Sequence, residues 1–306
     1  MKPFFQAVLG GLAIFGVGAG IMHGSGWLWR NVQAFIPSPS DGTSISGFSR
    51  TIRYTAIEEE DSVDMTGRRQ LASSGGEISA AAYIIKDLKT GKIRAEYNSQ
   101  TLIPIASLTK LVTAVVAIRH MDPNEPISIT PDIMKTYGNT AQFRKGEIFR
   151  SADMLYPLLM VSSNDAAEAL ANKYGRKEFV RAMNSWTQSI GAYRTYFLDP
   201  SGLSDSNVST AQDLAIILDW IRINEPSILA TTLLKTKDVR THTWVNPTHF
   251  LNWSDYLGGK NGYTSAANRT GSSLFALGPD KDPYAVVVLG SESRDGDVIK
   301  LLGKVK

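Results

Sequence analysis

The sequence contains no cysteine. Disulfide bonds, thiolate metal sites and a cysteine nucleophile are therefore excluded. Histidine is also scarce, because the 306 residues include only four. None of the four belongs to an H-E-x-x-H pair or to a cluster with metal-ligand spacing, and no Gly-rich phosphate loop is present. We therefore expect an activity that needs neither a metal nor another cofactor.

The chain also has little net charge. Its 32 Lys and Arg residues stand against 29 Asp and Glu residues, which gives a formal net charge of +3. This balance is too even to favour nucleic acid as a partner. The hydrophobic content of 43% is ample for a packed core, and the length allows one large domain or two modest ones.

Charged residues are absent between Lys2 and Arg30, and residues 4–22 are apolar or glycine except for Gln6. That length just spans a bilayer. Trp27 and Trp29 follow the run where interfacial aromatic residues would lie. We interpret residues 1–30 as a membrane anchor that places the rest of the chain in the cell envelope, on the outer side of the cytoplasmic membrane. A cleaved signal peptide is the alternative, although residues 18–20 make a poor cleavage site. A buried core helix is opposed by the five glycines in the run.

Residues 31–78 have the composition of a flexible linker. Ser, Gly and Pro are frequent there, and an acidic run occupies positions 58–61. The remainder, residues 79–306, is predicted to be a catalytic domain. Because the chain stops soon after the last predicted strand, we expect no additional C-terminal domain or amphipathic anchor.

Hydrophobic periodicity predicts an α+β fold for this domain. Apolar runs at 80–85 and 92–97 flank a turn and predict a β-hairpin. Helices are predicted at 108–120, 152–159, 165–173 and 210–222, the last opened by a capping run around Ser209 and Thr210. Strands are predicted at 273–277 and 284–290 around a Gly/Pro turn. This order suggests an antiparallel sheet, with strands from both chain ends, packed against a helical cluster.

Ser107 and Lys110 form an S-x-x-K pattern at the start of the first predicted helix. Residues three apart on a helix share one face, so the lysine amine can reach the serine hydroxyl. The amine can act as a base once burial or nearby positive charge leaves it neutral. The pattern also occurs by chance in exposed helices, so alone it is weak.

Two further polar segments could complete a catalytic site. The first is Ser162-Ser163-Asn164-Asp165, after an apolar run; a simple helix N-cap explains it equally well. The second runs from Gly258 to Thr264 and places glycines around Lys260 on a predicted strand. Glycine in a strand often marks close approach to the backbone, although a solvated hairpin lysine is the simpler alternative.

The three segments in this order resemble the penicillin-binding serine enzymes, which carry S-x-x-K, S-x-N and K-T-G. The surrounding residues narrow the resemblance to the low-molecular-mass D-alanyl-D-alanine carboxypeptidases. It extends from Ser79 to Lys306 and includes the runs that start at Pro104, Ser162, Asp199, Ser209 and Gly259. The resemblance implies the serine β-lactamase and penicillin-binding-protein fold, with peptidoglycan stem peptides as substrate and β-lactams as inhibitors.

The resemblance also implies the role of each residue. Ser107 would form the acyl-enzyme, Lys110 would be the general base, and Ser162 would relay a proton to the leaving group. The backbone N–H groups of Ser107 and Tyr263 would form an oxyanion hole. The expected substrate-binding residues are Asn164, Lys260, Asn261, Gly262, Tyr263, Thr264 and Arg294. Among these, Arg294 could equally be a surface residue.

Asn261 departs from the family pattern, because threonine usually occupies that place. A longer, planar amide could shift or weaken carboxylate recognition. The chain could then be a weakened module that binds wall stems or penicillin. Even with full activity, the sequence does not distinguish a carboxypeptidase from a D-alanyl endopeptidase.

Two other enzyme classes fit less well. A class A β-lactamase needs a glutamate for deacylation; Glu168 and Asn172 make E-x-x-x-N but lie directly after the second motif rather than on a downstream loop. A triad hydrolase would use His242 or His249, yet no G-x-S-x-G is present.

Overall fold

The computed structural model describes residues 78–305, so the predicted anchor and almost all of the predicted linker lie outside the described residues. The described chain begins with buried Ile78 and enters the first strand four residues later. The strands are β1 Ala82–Asp87, β2 Ile93–Tyr97, β3 Ile103–Pro104, β4 Pro126–Ser128, β5 Ile148–Arg150, β6 Val208–Ser209, β7 Thr236–Val239, β8 His242–Val245, β9 Tyr256–Thr264, β10 Asn268–Leu277 and β11 Asp282–Ser291.

Seven α-helices occur among these residues. They are α1 Thr109–His120, α2 Ser151–Met160, α3 Asn164–Tyr174, α4 Arg176–Ser189, α5 Ala211–Asn224, α6 Pro226–Thr232 and α7 Arg294–Gly303. Short 3₁₀ turns lie at Ala106–Leu108, Ile133–Lys135 and His249–Asn252. Within residues 78–305, no helix is long and apolar enough to cross a membrane.

The main sheet has five strands in the order β2-β1-β11-β10-β9, and every neighbouring pair is antiparallel. Among the described residues, the last strand, β11, thus lies beside the first, β1, so the sheet contains strands from both ends, as predicted. The central strand β11 is apolar on both faces. Val287 and Leu289 pack into the core on the helical side, whereas Val286 and Val288 pack into a second core on the opposite side. Burial on both faces explains its continuous hydrophobic run.

The larger core lies between the sheet and the helical cluster. Helix α1 contributes Leu111, Val112 and Val115, and α5 contributes Leu214 and other apolar residues. Helix α5 is capped as the sequence predicts, because the Thr210 hydroxyl accepts a hydrogen bond from the Asp213 N–H at 3.0 Å. The smaller core packs α7 on the other face of the sheet.

These observations confirm the predicted α+β class, the first hairpin and the helices expected near 108–120, 152–159, 165–173 and 210–222. The sequence analysis did not identify α4, α6, α7 or the β7–β8 hairpin. Helix α4 buries only a narrow stripe that includes Phe179, Met183 and Trp186, among many charged residues, so its apolar signal is weak.

Candidate active site

Ser107 lies in the 3₁₀ turn that leads directly into α1, and Lys110 follows one turn later. The Lys110 Nζ atom lies 2.9 Å from the Ser107 Oγ atom. The turn begins at Ala106, whose φ of 49° is in the left-handed region. A non-glycine residue pays about 1–2 kcal/mol there, and such strain is typical of functional sites. The S-x-x-K spacing therefore produces the contact expected from helix geometry.

Lys110 is completely buried. Its amine also donates to the Asn164 Oδ1 atom, at 2.7 Å, and to the Ser201 carbonyl oxygen. Desolvation lowers the Lys110 pKa well below its usual value, and the positive charge of Lys260 lowers it further, against an opposing effect of Asp199. A neutral amine next to a hydroxyl can accept its proton.

In the segment Ser162-Ser163-Asn164, the middle residue caps a helix and the two outer residues face the cleft. Ser163 is the N-cap of α3, and its side chain accepts from the Ala166 N–H at 3.0 Å. The N-cap interpretation is thus correct for Ser163 alone, whereas Ser162 and Asn164 line the cleft that contains Ser107. Ser162 has a φ of 59°, a second strained backbone position at this site. The Asn164 amide donates to the Tyr137 carbonyl oxygen at 2.7 Å.

Strand β9 forms the opposite wall of the cleft. A Cβ atom on Gly262 would lie 2.8 Å from the Ser107 backbone nitrogen, so the strand approaches the nucleophile closely enough to require glycine. The cleft has a volume of about 510 Å³. It is lined by Ser107, Tyr137, Gly138, Thr140, Leu159, Met160, Val161, Ser162, Asn164, Pro247, Thr248, Gly259, Lys260, Asn261, Gly262, Tyr263 and Arg294.

Lys260 and Arg294 make the strand side of the cleft positive. Lys260 is 6% exposed, and its Nζ atom donates to the Asn261 carbonyl oxygen at 2.8 Å. Burial, followed by the nearby charge of Arg294, lowers the pKa of Lys260 to about 7. Arg294 lies at the first position of α7 and reaches the cleft across β10. The arginine that the sequence left open as a surface residue is therefore part of the cleft lining.

Thr264 differs from the other predicted site residues. It does not line the cleft. Its hydroxyl accepts a hydrogen bond from the Ala267 N–H at 3.0 Å and so stabilises the turn between β9 and β10. Eight of the ten predicted residues therefore line one cleft. Lys110 is buried behind that lining, in contact with Ser107 and Asn164, and Thr264 lies in the turn after β9.

The loop at 199–204, which is buried from Asp199 to Gly202, packs against the turn that carries Ser107, and the sequence analysis gave this loop no role. The Asp199 carboxylate accepts from the backbone N–H groups of Ser201, Gly202 and Ser204, each at 2.6 Å. This arrangement fixes the Ser201 carbonyl that accepts from Lys110. A Cβ atom on Gly202, which has a φ of 85°, would lie 2.0 Å from the Ala106 carbonyl oxygen. The sequence Asp-Pro-Ser-Gly could have indicated this loop, but the same residues are typical of an ordinary surface turn.

Neither rival catalytic group lies in this cleft. Glu168 forms a bidentate ion pair with Arg176 at 2.8 and 3.0 Å, and Asn172 donates to the Glu168 carbonyl oxygen. Neither residue is part of the cleft lining. His242 is buried beside Glu147, with its Nε2 atom 3.0 Å from the carboxylate oxygens, and it lines a different cavity. His249 is not among the lining residues of the cleft.

A serine hydroxyl 2.9 Å from a buried lysine amine with a lowered pKa, on an antiparallel sheet packed against helices, is the arrangement expected of a serine acyl-transfer enzyme. The sequence profile of the D-alanyl-D-alanine carboxypeptidase family matches residues 68–292. The chain belongs to this family, as its motifs indicated. The matched range includes Ser107, Lys110, Ser162, Asn164 and Lys260 and ends two residues before Arg294.

Relatives of known name agree with this assignment. The chain is 35% identical to a D-alanyl-D-alanine endopeptidase of Escherichia coli over 73% of its own length and 75% of that protein. It is 32% identical to a D-alanyl-D-alanine carboxypeptidase of Mycobacterium tuberculosis over 62% of its own length and 68% of that protein. A crystal structure of a D-alanyl-D-alanine carboxypeptidase from M. tuberculosis matches with a TM-score of 0.67 at 27% identity, over 73% of this chain and 90% of that one. The predicted fold class and family are thereby confirmed.

Proposed function

We propose that this protein hydrolyses the bond after a D-alanyl residue in peptidoglycan stem peptides, as a serine-type D-alanyl-D-alanine carboxypeptidase. The observation that carries the proposal is the 2.9 Å contact between the Ser107 hydroxyl and the fully buried Lys110 amine. Lys110 removes the hydroxyl proton as the Ser107 oxygen attacks the D-alanyl carbonyl carbon. The bond to the terminal residue then breaks, and an acyl-enzyme on Ser107 remains until water releases it.

The remaining cleft residues have separate roles in this scheme. Ser162 passes a proton to the departing amine, and the Asn164 amide holds the substrate peptide bond. Lys260 and Arg294 bind the terminal carboxylate, which suits the positive charge of this wall. The backbone N–H groups of Ser107 and Tyr263 stabilise the oxyanion, because Gly262 lets β9 approach the nucleophile.

The proposal is tested by the intact mass of the full-length protein after brief exposure to a penicillin. We expect one stable adduct on the wild type and none on the Ser107→Ala variant. If a folded wild-type sample forms no adduct, Ser107 is not an acylating nucleophile. The cleft would then act as a binding module, with Asn261 as the first residue to examine.

An endopeptidase is the second candidate, favoured by the relatives of that name in E. coli and Pseudomonas aeruginosa at 35% and 34% identity. Both reactions attack a D-alanyl carbonyl and differ only in the leaving group. Mass spectrometry of two defined substrates separates them: a monomeric stem that ends in D-alanyl-D-alanine, and a cross-linked dimer. Cleavage of the dimer at a rate equal to or above that of the monomer would assign the endopeptidase.

The family acts on the cell wall, so this protein acts in the cell envelope. We propose further that residues 1–30 anchor the protein in the membrane, because the apolar run at 4–22 is long enough to span a bilayer. Membrane fractions washed with alkaline carbonate should retain the full chain and lose a variant that carries a cleavable secretion signal in place of residues 1–30. Release of the full chain by the wash would favour a cleaved signal peptide.

A further inference from the structure

The start of α7 places an acidic residue directly beside Arg294. The Arg294 Nε atom donates to the Asp295 Oδ1 atom at 2.7 Å. The two side chains are 20% and 31% exposed, so this ion pair is at the rim of the cleft rather than in the core. An ion pair that water can reach contributes little to stability. The contact therefore calls for a reason other than holding the fold together.

The backbone at this point is already fixed by other groups. The buried Asp297 carboxylate accepts from the hydroxyls of Ser79 and Ser291, each at 2.6 Å, and so ties α7 to the segment before β1 and to the end of β11. The Asp297 N–H donates to the Ser293 carbonyl oxygen at 2.8 Å. Asp297 therefore anchors the helix, whereas the side-chain hydrogen bond of Asp295 is made to Arg294.

Two contacts determine where that side chain goes. The aliphatic part of Arg294 crosses β10 at Gly271, where an added Cβ atom would lie 2.9 Å from the arginine Cδ. Beyond that crossing, the Nε–H group on one edge of the guanidinium donates its hydrogen bond to Asp295. The terminal nitrogens remain available, and the positive charge of Arg294 is felt by Lys260 on the cleft wall. A guanidinium held on one edge presents its other N–H groups in a fixed direction.

We propose that Asp295 is a positioning residue, which orients the Arg294 guanidinium for the terminal carboxylate of the substrate. This inference rests on the proposed function, because it assumes that Arg294 meets that carboxylate. Asp295 touches no substrate in this scheme. It acts by ordering a long, flexible side chain before the substrate arrives, so that binding does not bear that entropic cost.

Asp295 also has an opposing effect, since its negative charge lies near the substrate carboxylate. The Asp295 side chain is 31% exposed to water, which weakens the repulsion. Ordering is expected to prevail over repulsion, and the two effects predict opposite changes when Asp295 is removed. The sign of the measured change therefore decides between them.

The test uses the full-length protein and two peptides, one that ends in D-alanyl-D-alanine with a free carboxylate and the same peptide with a C-terminal amide. The ratio of their kcat/KM values measures carboxylate recognition, and any general loss of active protein cancels in it. We expect Asp295→Ala to lower this ratio roughly three- to ten-fold, the range for ordering one long side chain. The loss should appear in KM for the free acid, with kcat nearly unchanged.

Two matched variants separate orientation from charge. Asp295→Asn removes the charge but keeps an oxygen that can accept from Arg294, so it should retain most of the wild-type ratio. Glu292→Gln removes an exposed negative charge from the same loop and should leave the ratio unchanged. An unchanged or increased ratio in Asp295→Ala would overturn the inference. Penicillin adducts on Ser107, measured in the same samples, show separately whether the proposed acylation chemistry is present.

Discussion

Gly262 lies where β9 closely approaches the turn that carries Ser107, and Gly262→Ala perturbs this approach directly. The new Cβ atom would lie 2.6 Å from the Thr270 hydroxyl oxygen, 2.8 Å from the Ser107 backbone nitrogen and 3.1 Å from the Ala106 Cβ atom. Ser107 and Ala106 belong to the 3₁₀ turn that leads into α1. The Thr270 hydroxyl donates a hydrogen bond to the carbonyl oxygen of Ile105, directly before this turn, at 3.1 Å. The strain cannot be relieved by rotating a flexible side chain.

The size of the effect follows from these distances. An ordinary van der Waals contact needs about 3.4 Å or more, so the Ser107 backbone must move by roughly 0.6 Å. Displacements of about 1 Å at a reacting group cost on the order of a hundred-fold in rate. We therefore expect acylation by a penicillin to slow by roughly ten- to a hundred-fold. Overpacking costs about 1–3 kcal/mol of unfolding free energy, which lowers Tm by roughly 2–4 °C for each kcal/mol in a domain of this size.

The assay is stopped-flow or quenched acylation followed by intact mass, with Tm measured on the same samples. Gly303→Ala is the matched control, because a Cβ atom at this helical position meets nothing within 4 Å. It should leave acylation and Tm nearly unchanged. If Gly262→Ala acylates at the wild-type rate while remaining folded, β9 does not constrain the Ser107 backbone, and the argument for an oxyanion hole between the two fails.

Four further outcomes follow from the site. Ser107→Ala should form no penicillin adduct by intact mass, and Lys110→Ala should slow acylation by about 10³-fold; turnover by a verified Ser107→Ala sample would exclude the scheme. The pKa of about 7 for Lys260 predicts that kcat/KM for a free-carboxylate peptide falls as pH rises above about 7, because the amine loses its charge there. On the acid side, kcat/KM should rise with pH as Lys110 is deprotonated. Lys260→Arg should move only the decrease on the alkaline side to higher pH. If the pH dependence of kcat/KM is unchanged by this substitution, another group causes that decrease. Asn261→Thr should preserve or raise D-alanine release, and a large loss would mean that the amide itself binds substrate. Glu168→Gln should leave hydrolysis of the penicillin adduct unchanged, since its carboxylate is paired with Arg176 away from the cleft; a longer-lived adduct would favour the β-lactamase type of deacylation.

Local patterns were enough to predict the parts of this protein that depend on neighbours in sequence. Ser107 and Lys110 meet because residues three apart share a helix face, and this holds before any tertiary contact forms. The Thr210 cap and the β1–β2 hairpin also depend on a few adjacent residues. The resemblance to the family then indicated that three segments far apart in sequence form one site. Hydrophobic periodicity carries no such information.

Only the tertiary structure decided which distant groups meet and how deeply they are buried. Asn164 reaches Lys110 from 54 positions away, and Ser201 reaches it from 91. Similar motif residues separate in the fold, since Ser163 caps a helix and Thr264 closes a turn while their neighbours line the cleft. Arg294 and Asp295 are adjacent in sequence, yet the path of the arginine side chain depends on β10, which it crosses at Gly271. The lowered pKa of Lys110 has the same origin, because desolvation depends on everything packed around the amine rather than on the residues beside it in the chain.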